Sequence, residues 1–189
     1  MNRACVLLLL GVAAAAVDAQ AALGATSSTP ARWRSYNLLV EFHGLPRTYS
    51  CDDLWYKVRD LLLRLGAGPS MTITPYACGF RGGGEARSPS VEVRFQIPQP
   101  LAGSETRYAD TTVSEQPVRL APGSPSSLQS GDCELMHQLQ EKLLAALPVH
   151  VTGSMFSCTS AANSFALTIE APIASGQAAG TADLSRSPR

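Results

Sequence analysis

Two stretches of this chain share one layout, and that shared layout limits the folds the chain can adopt. Ser50 to Cys78 reads SCDDLWYKVRDLLLRLGAGPSMTITPYAC, and Asp132 to Cys158 reads DCELMHQLQEKLLAALPVHVTGSMFSC. Each has a cysteine at the start of an amphipathic helix and another at the close of the strand that follows. The separations are close, 27 residues (78 − 51) and 25 (158 − 133). Four cysteines allow three pairings, and the matched layout selects Cys51–Cys78 and Cys133–Cys158. Loops of this size stabilise a fold by about 3–4 kcal/mol each in the chain-entropy model.

In the first copy, Leu54, Val58, Leu61, Leu62 and Leu65 follow Cys51 at offsets of 3, 7, 10, 11 and 14. At about 100° per residue they gather, with Cys51, on an arc of roughly 100°, which predicts a helix buried along that stripe. Ser50 is the expected N-cap and Asp53 stands where a capping box places an acid. Asp52 and Asp53 suit the positive end of the helix dipole. Gly66, Gly68 and Pro69 stop the helix. In the second copy Asp132 is the expected N-cap. Met136, Leu143, Leu144 and Leu147 take the places of Leu54, Leu61, Leu62 and Leu65, while Leu139 falls one residue earlier than Val58. Pro148 ends that helix.

Strands flank both helices. Leu38, Val40 and Phe42 alternate with Asn37, Glu41 and His43 within a strand expected over 37–45. Met71 to Cys78 is the next, and Val91, Val93, Phe95 and Ile97 alternate with polar residues in the third. The second copy repeats this with Val118 and Leu120, then Val149 to Cys158, then Phe165, Leu167 and Ile169. Leu101 to Val113 reads as a polar connector. Ile73 and Cys78 have opposite parity, as do Val151 and Cys158. An extra residue in a β-bulge, at Pro75 and at Gly153, would reconcile each pair.

The expected fold class is therefore α+β. A duplicated β-α-β-β unit builds a largely antiparallel sheet of about six strands, with both helices on one face and two disulfides. Residues 36–174 form the domain, with the units at 36–100 and 113–174. Units this small make weak cores alone, so a shared core is expected. One-sided alternation leaves the other sheet face in water, carrying Glu41, His43, Glu92, Arg94, Arg119, Thr168 and Glu170.

Outside that domain, Arg3, the apolar run Ala4 to Val17, and Ala19 and Ala21 around Gln20 have the form of a cleaved signal peptide, residues 1–21. The 14-residue run falls short of the roughly 20 that a membrane span needs. Cys5 would leave with the signal, and the remaining four cysteines suit an oxidising compartment. A periplasmic or secreted protein is expected, with no integral membrane span. Residues 22–35 read as a flexible lead, and 175–189 as a disordered tail.

Fifteen basic and 15 acidic residues cancel, which argues against nucleic acid as a partner. His43, His137 and His150 lack metal-ligand spacing, so no metal site is expected. There is no G-x-S-x-G serine, and a helix start accounts for the Asp52–Asp53 pair. The glycine-rich stretch Gly79 to Pro89 lacks the lysine and hydroxyl of a nucleotide loop, so no cofactor is expected. The β-α-β-β order is broadly similar to small docking domains of bacterial envelope assemblies, a likeness of fold rather than of site. These features predict a non-enzymatic binding module of the bacterial cell envelope, partnered by another envelope or secreted protein. Contact is expected at Glu41, His43, Glu92, Arg94, Arg81 and Arg87. A small secreted hydrolase or ligand-binding enzyme is the second reading. An inhibitor or effector using the 79–89 loop is the third.

Overall fold

The computed structural model describes residues 28–76, 88–159 and 163–177. Its elements are β1 (Thr29–Glu41), α1 (Cys51–Arg64), β2 (Thr72–Tyr76), β3 (Ser90–Pro100), β4 (Thr111–Leu120), α2 (Cys133–Lys142), β5 (His150–Cys158) and β6 (Asn163–Ala174). The order β, α, β, β thus occurs twice. The six strands form one antiparallel sheet in the order β2-β3-β1-β4-β6-β5. Each unit contributes its strands in the same internal order, and the units meet at β1 and β4.

That seam is short. It consists of three pairs, Thr29–Val113, Pro30–Thr112 and Ala31–Thr111. Its central pair lies 82 residues apart (112 − 30), the same offset as Cys51 and Cys133 (133 − 51). The strand register and the cysteine alignment therefore place the same residues in equivalent positions. A single buried cluster draws on both helices and on β1, β3, β4 and β6, so the units share one core.

The helix ends follow from local chemistry. The Ser50 hydroxyl accepts the Asp53 amide at 3.1 Å, as the capping pattern requires. At the other end, Gly66 N–H donates to Leu63 O and Ala67 N–H donates to Leu62 O, a Schellman closure that needs a left-handed residue. Gly66 supplies it with φ of +85°. A side chain there would also put its Cβ 2.7 Å from the Pro172 carbonyl, so Gly66 lets α1 dock on β6 of the other unit.

Several expectations are corrected. The lead predicted over 22–35 gives way to strand from Thr29 onward; the alternation simply fails at Arg32–Ser35, where both sides of β1 carry polar groups. Phe42 and Leu45 are buried beyond the end of β1, although the strand was expected to include them. β4 starts at Thr111, inside the segment read as connector, because paired strand needs no buried alternation at an exposed stretch. Residues 103–108 of that connector form a 3₁₀ turn. Asp132 does not cap α2; its carboxylate turns back to other partners. At the carboxyl end, Ser175 N–H donates to Thr112 O and the Gln177 side chain donates to Ala67 O; residues 178–189 lie outside the described ones, as do 1–27.

Cys133 and Cys158 are bonded, with Cα atoms 5.4 Å apart. Cys51 is also disulfide-bonded, but Cys78 lies outside the described residues. The bulge expected in the second unit is present. His150 faces Glu170, Val151 faces Ile169 and Gly153 faces Thr168, leaving Thr152 as the extra residue. In the first unit, pairing is regular from Thr72 through Tyr76, so the bulge expected at Pro75 is absent.

Candidate functional site

The open face of the first unit holds four of the predicted contact residues. Along the register, Asn37 faces Arg94, Leu39 faces Glu92 and Glu41 faces Ser90, with Tyr76 paired to Ser90 from the other side. Glu92 and Arg94 pair at 2.7 Å, and the His43 imidazole lies 3.8 Å from Glu41, an ion pair only when the ring is protonated. The Tyr76 hydroxyl donates to Glu92 at 3.1 Å. Hydrogen bonds from Arg94 and then Tyr76 hold the Glu92 carboxyl below the usual carboxylate range. The same bond and the Glu92 charge push the Tyr76 phenol up. Arg81 and Arg87 lie outside the described residues.

Beside the Glu92–Arg94 pair the surface is concave and mixed, with two large side chains exposed among polar ones. Leu39 is 60% exposed and Tyr76 48%. With Asn37, Ser90 and Glu92 they line a shallow dent of about 390 Å³. A second concavity, about 410 Å³, sits where β1 leaves the seam, lined by Arg32, Trp33, Leu101, Glu105 and Tyr108 among others. Both are in the volume range of ligand sites.

The strongest polar cluster was not foreseen. Lys57, on α1, is 1% exposed, and Asp132, just before α2, is fully buried. The ammonium lies 3.0 Å from Asp132 Oδ2 and 3.2 Å from Asp53 Oδ1, and donates to the Ser127 carbonyl at 2.6 Å. Asp132 also accepts from the Tyr49 hydroxyl at 3.0 Å and the Gln129 amide at 2.8 Å, with Arg47 Nη1 at 3.4 Å. Burial first, then the charge of Asp132 and the hydrogen bond to it, push the Tyr49 phenol far above its ordinary value. Every acceptor site of the carboxylate is thus engaged, and none of the described cavities is lined by Lys57 or Asp132. The cluster is suited to tying the units together rather than to reacting with substrate. Its trace in the sequence is faint: Lys57 stands four residues after Asp53, about 40° outside the apolar arc.

A second tie crosses the units nearby. Gln138 of α2 accepts the His43 amide at 2.9 Å and donates to the His43 carbonyl at 2.8 Å, standing in for a neighbouring strand. Lys142 donates to the Glu41 carbonyl. His43 therefore contributes its backbone to the fold and its side chain to the surface.

Among the described residues, no group of three His, Cys, Asp or Glu side chains could hold a metal ion. No described helix is long and apolar enough to cross a membrane. No family model matches this chain, no curated protein matches its sequence, and no solved structure matches its fold.

Proposed function

We propose that this chain is an exported, non-enzymatic binding module of the bacterial cell envelope, working in the periplasm or after secretion. The reading joins an export-type leader and paired cysteines to a sheet face open on one side. The observation that carries it is the exposure of Leu39 and Tyr76 beside the Glu92–Arg94 ion pair. Large side chains left exposed beside a satisfied polar pair suit a protein contact. We further read the chain as a duplicated β-α-β-β unit with both helices on one sheet face, Cys51 being joined to Cys78 as Cys133 is to Cys158.

The test is site-specific photo-crosslinking in the native host, with the reactive group placed at Leu39 and, as a control, at Arg119. One protein joined in stoichiometric yield from Leu39 alone supports the reading. A crosslink-free monomer at both positions, under gentle extraction, would return attention to small ligands and to the enzyme reading.

A further inference from the structure

The register of β1 exposes a feature that the order of strands conceals. The Phe42 amide donates to the Pro89 carbonyl, in step with the Tyr36–Phe95 pairing, so even-numbered β1 residues direct their backbone groups at β3. Odd-numbered residues direct theirs to the opposite side, where β4 lies. But β4 reaches only Thr29 to Ala31. Past the seam, side chains satisfy the ends of this edge. Asp110 Oδ1 accepts the Trp33 amide at 3.1 Å, and at the far end Lys142 and Gln138 take Glu41 and His43. Between them the β4 ladder has ended, and among the described residues no turn or loop backbone group takes the N–H and C=O groups of Ser35, Asn37 and Leu39.

We propose that this stretch of β1 accepts an extended segment of another polypeptide, which adds to the mid-sheet edge as a strand. This deepens the binding-module reading and rests on it for the existence of a native partner. Main-chain groups give such additions affinity, and flanking pockets give specificity. The flanking side chains leave apolar surface beside that edge. Tyr36 and Leu38 are only half-buried, although their equivalents 82 residues on, Val118 and Leu120, are buried. An incoming apolar side chain would lie beside them, and another beside Leu39 on the open face.

Length selects the occupant. Trp33 to Glu41 spans about 26 Å at ~3.3 Å per residue, room for a strand of ordinary length. One added strand falls short of the roughly 1,200–2,000 Å² that a stable dimer buries, so a single segment fits better than a second copy. The chain's own segments fit less well. Residues 77–87 connect β2 to β3 and 160–162 connect β5 to β6, none of those strands being the one that faces this edge, and 178–189 carry one large apolar residue, Leu184. Charge sets the polarity of the fit. The 410 Å³ concavity at the Trp33 end is lined by Arg32, Arg34 and Glu105, with Asp110 on the Trp33 amide and Arg107 over the Tyr108 ring beside it, and three cations to two carboxylates favour an acid at that end of the segment.

The experiment uses the full oxidised chain and capped seven-residue peptides of alternating valine and threonine with one aspartate, at either terminus. Amide exchange is read by NMR. In the free chain, the Ser35, Asn37 and Leu39 amides should exchange fast while even-numbered β1 amides are protected. Peptide should protect all three, and N-methylation along its β1-facing edge should weaken binding about tenfold or more. Asn37→Pro, which removes the outward donor together with the side chain bonded to Glu92, should weaken it comparably, and Asn37→Ala, which removes the side chain alone, should not, with tryptophan emission unchanged in both. Protection of the three amides in the free chain would overturn the proposal by showing the edge already filled, by the chain itself or a second copy. So would indifference to N-methylation, or no binding by either peptide at millimolar concentration. If a native partner crosslinks at Leu39 but leaves these amides exchanging, the binding module survives and the strand addition fails. If peptides bind and no native partner is found, the acceptor edge stands and the binding module falls.

Discussion

The two units use one layout, yet at equivalent positions they carry different chemistry. Ser50 and Asp132 occupy the same place before their helices. The serine caps its own helix at 3.1 Å, whereas the aspartate reaches across to Tyr49 and Lys57 of the other unit. Lys57 corresponds to Leu139, and both are buried. Tyr49 corresponds to Gly131, where an added Cβ would lie 3.1 Å from the Arg47 guanidinium. A repeat that merely stacked apolar faces would leave the junction symmetric. Here one unit supplies the cation and phenol and the other the carboxylate, so each unit completes the other.

Exchanging those residues tests the comparison most severely. Lys57→Leu alone takes the nearest cation from a buried carboxylate and should cost about 3–5 kcal/mol in urea unfolding. Adding Asp132→Ser gives each position its counterpart's chemistry and should recover at least half of that loss, a coupling of ~1.5 kcal/mol or more. If the double variant is as unstable as the sum of the two single variants, the ion pair is not what joins the units. Next in size, replacing Cys133 and Cys158 with alanine should cost about 3–4 kcal/mol, read from the shift in urea midpoint. Gly66→Ala meets both a left-handed backbone and the Pro172 carbonyl, and should cost about 1–3 kcal/mol by thermal unfolding.

Smallest is Tyr49→Phe, at about 1–1.5 kcal/mol for one buried hydrogen bond. This variant also carries a pH signature. The Tyr49 phenol is held above its ordinary value of 10.0 in the folded chain, by burial first and by Asp132 next. The folded state therefore keeps a proton that the unfolded chain loses. That stability is fully present below pH ~10 and falls as pH rises beyond it. Stability curves of parent and variant should run parallel below that point and converge above it.

Much of the frame was legible in the sequence because periodicity and cysteines are local signals. The apolar arc of α1, the Ser50 cap and the bulge before Gly153 follow from spacing within one element, and the Cys133–Cys158 bond from the match between the two copies. What escaped depends on neighbours distant in the chain. Thr29 to Ser35 do not alternate cleanly, and they become strand through pairing with Gln96 to Pro100 and β4. Asp132 has every local mark of an N-cap, but partners 75 to 85 residues away hold its carboxylate instead. The site was legible in part. Glu41, His43, Glu92 and Arg94 do share the first unit's surface. Leu39 and Tyr76 were passed over, since nothing local says that an apolar residue will be left uncovered.

The most direct test of the account is whether the two units unfold as one. Both tryptophans, Trp33 and Trp55, lie in the first unit, and Met136 and Met155 lie in the second. Urea unfolding followed by tryptophan emission and by the assigned Met136 and Met155 methyl signals, with Met71 of the first unit set apart, therefore watches each unit separately. One core and a shared buried ion pair predict coincident midpoints and a single slope. Two resolved midpoints would contradict the account, leaving two small domains that only touch at a three-pair seam.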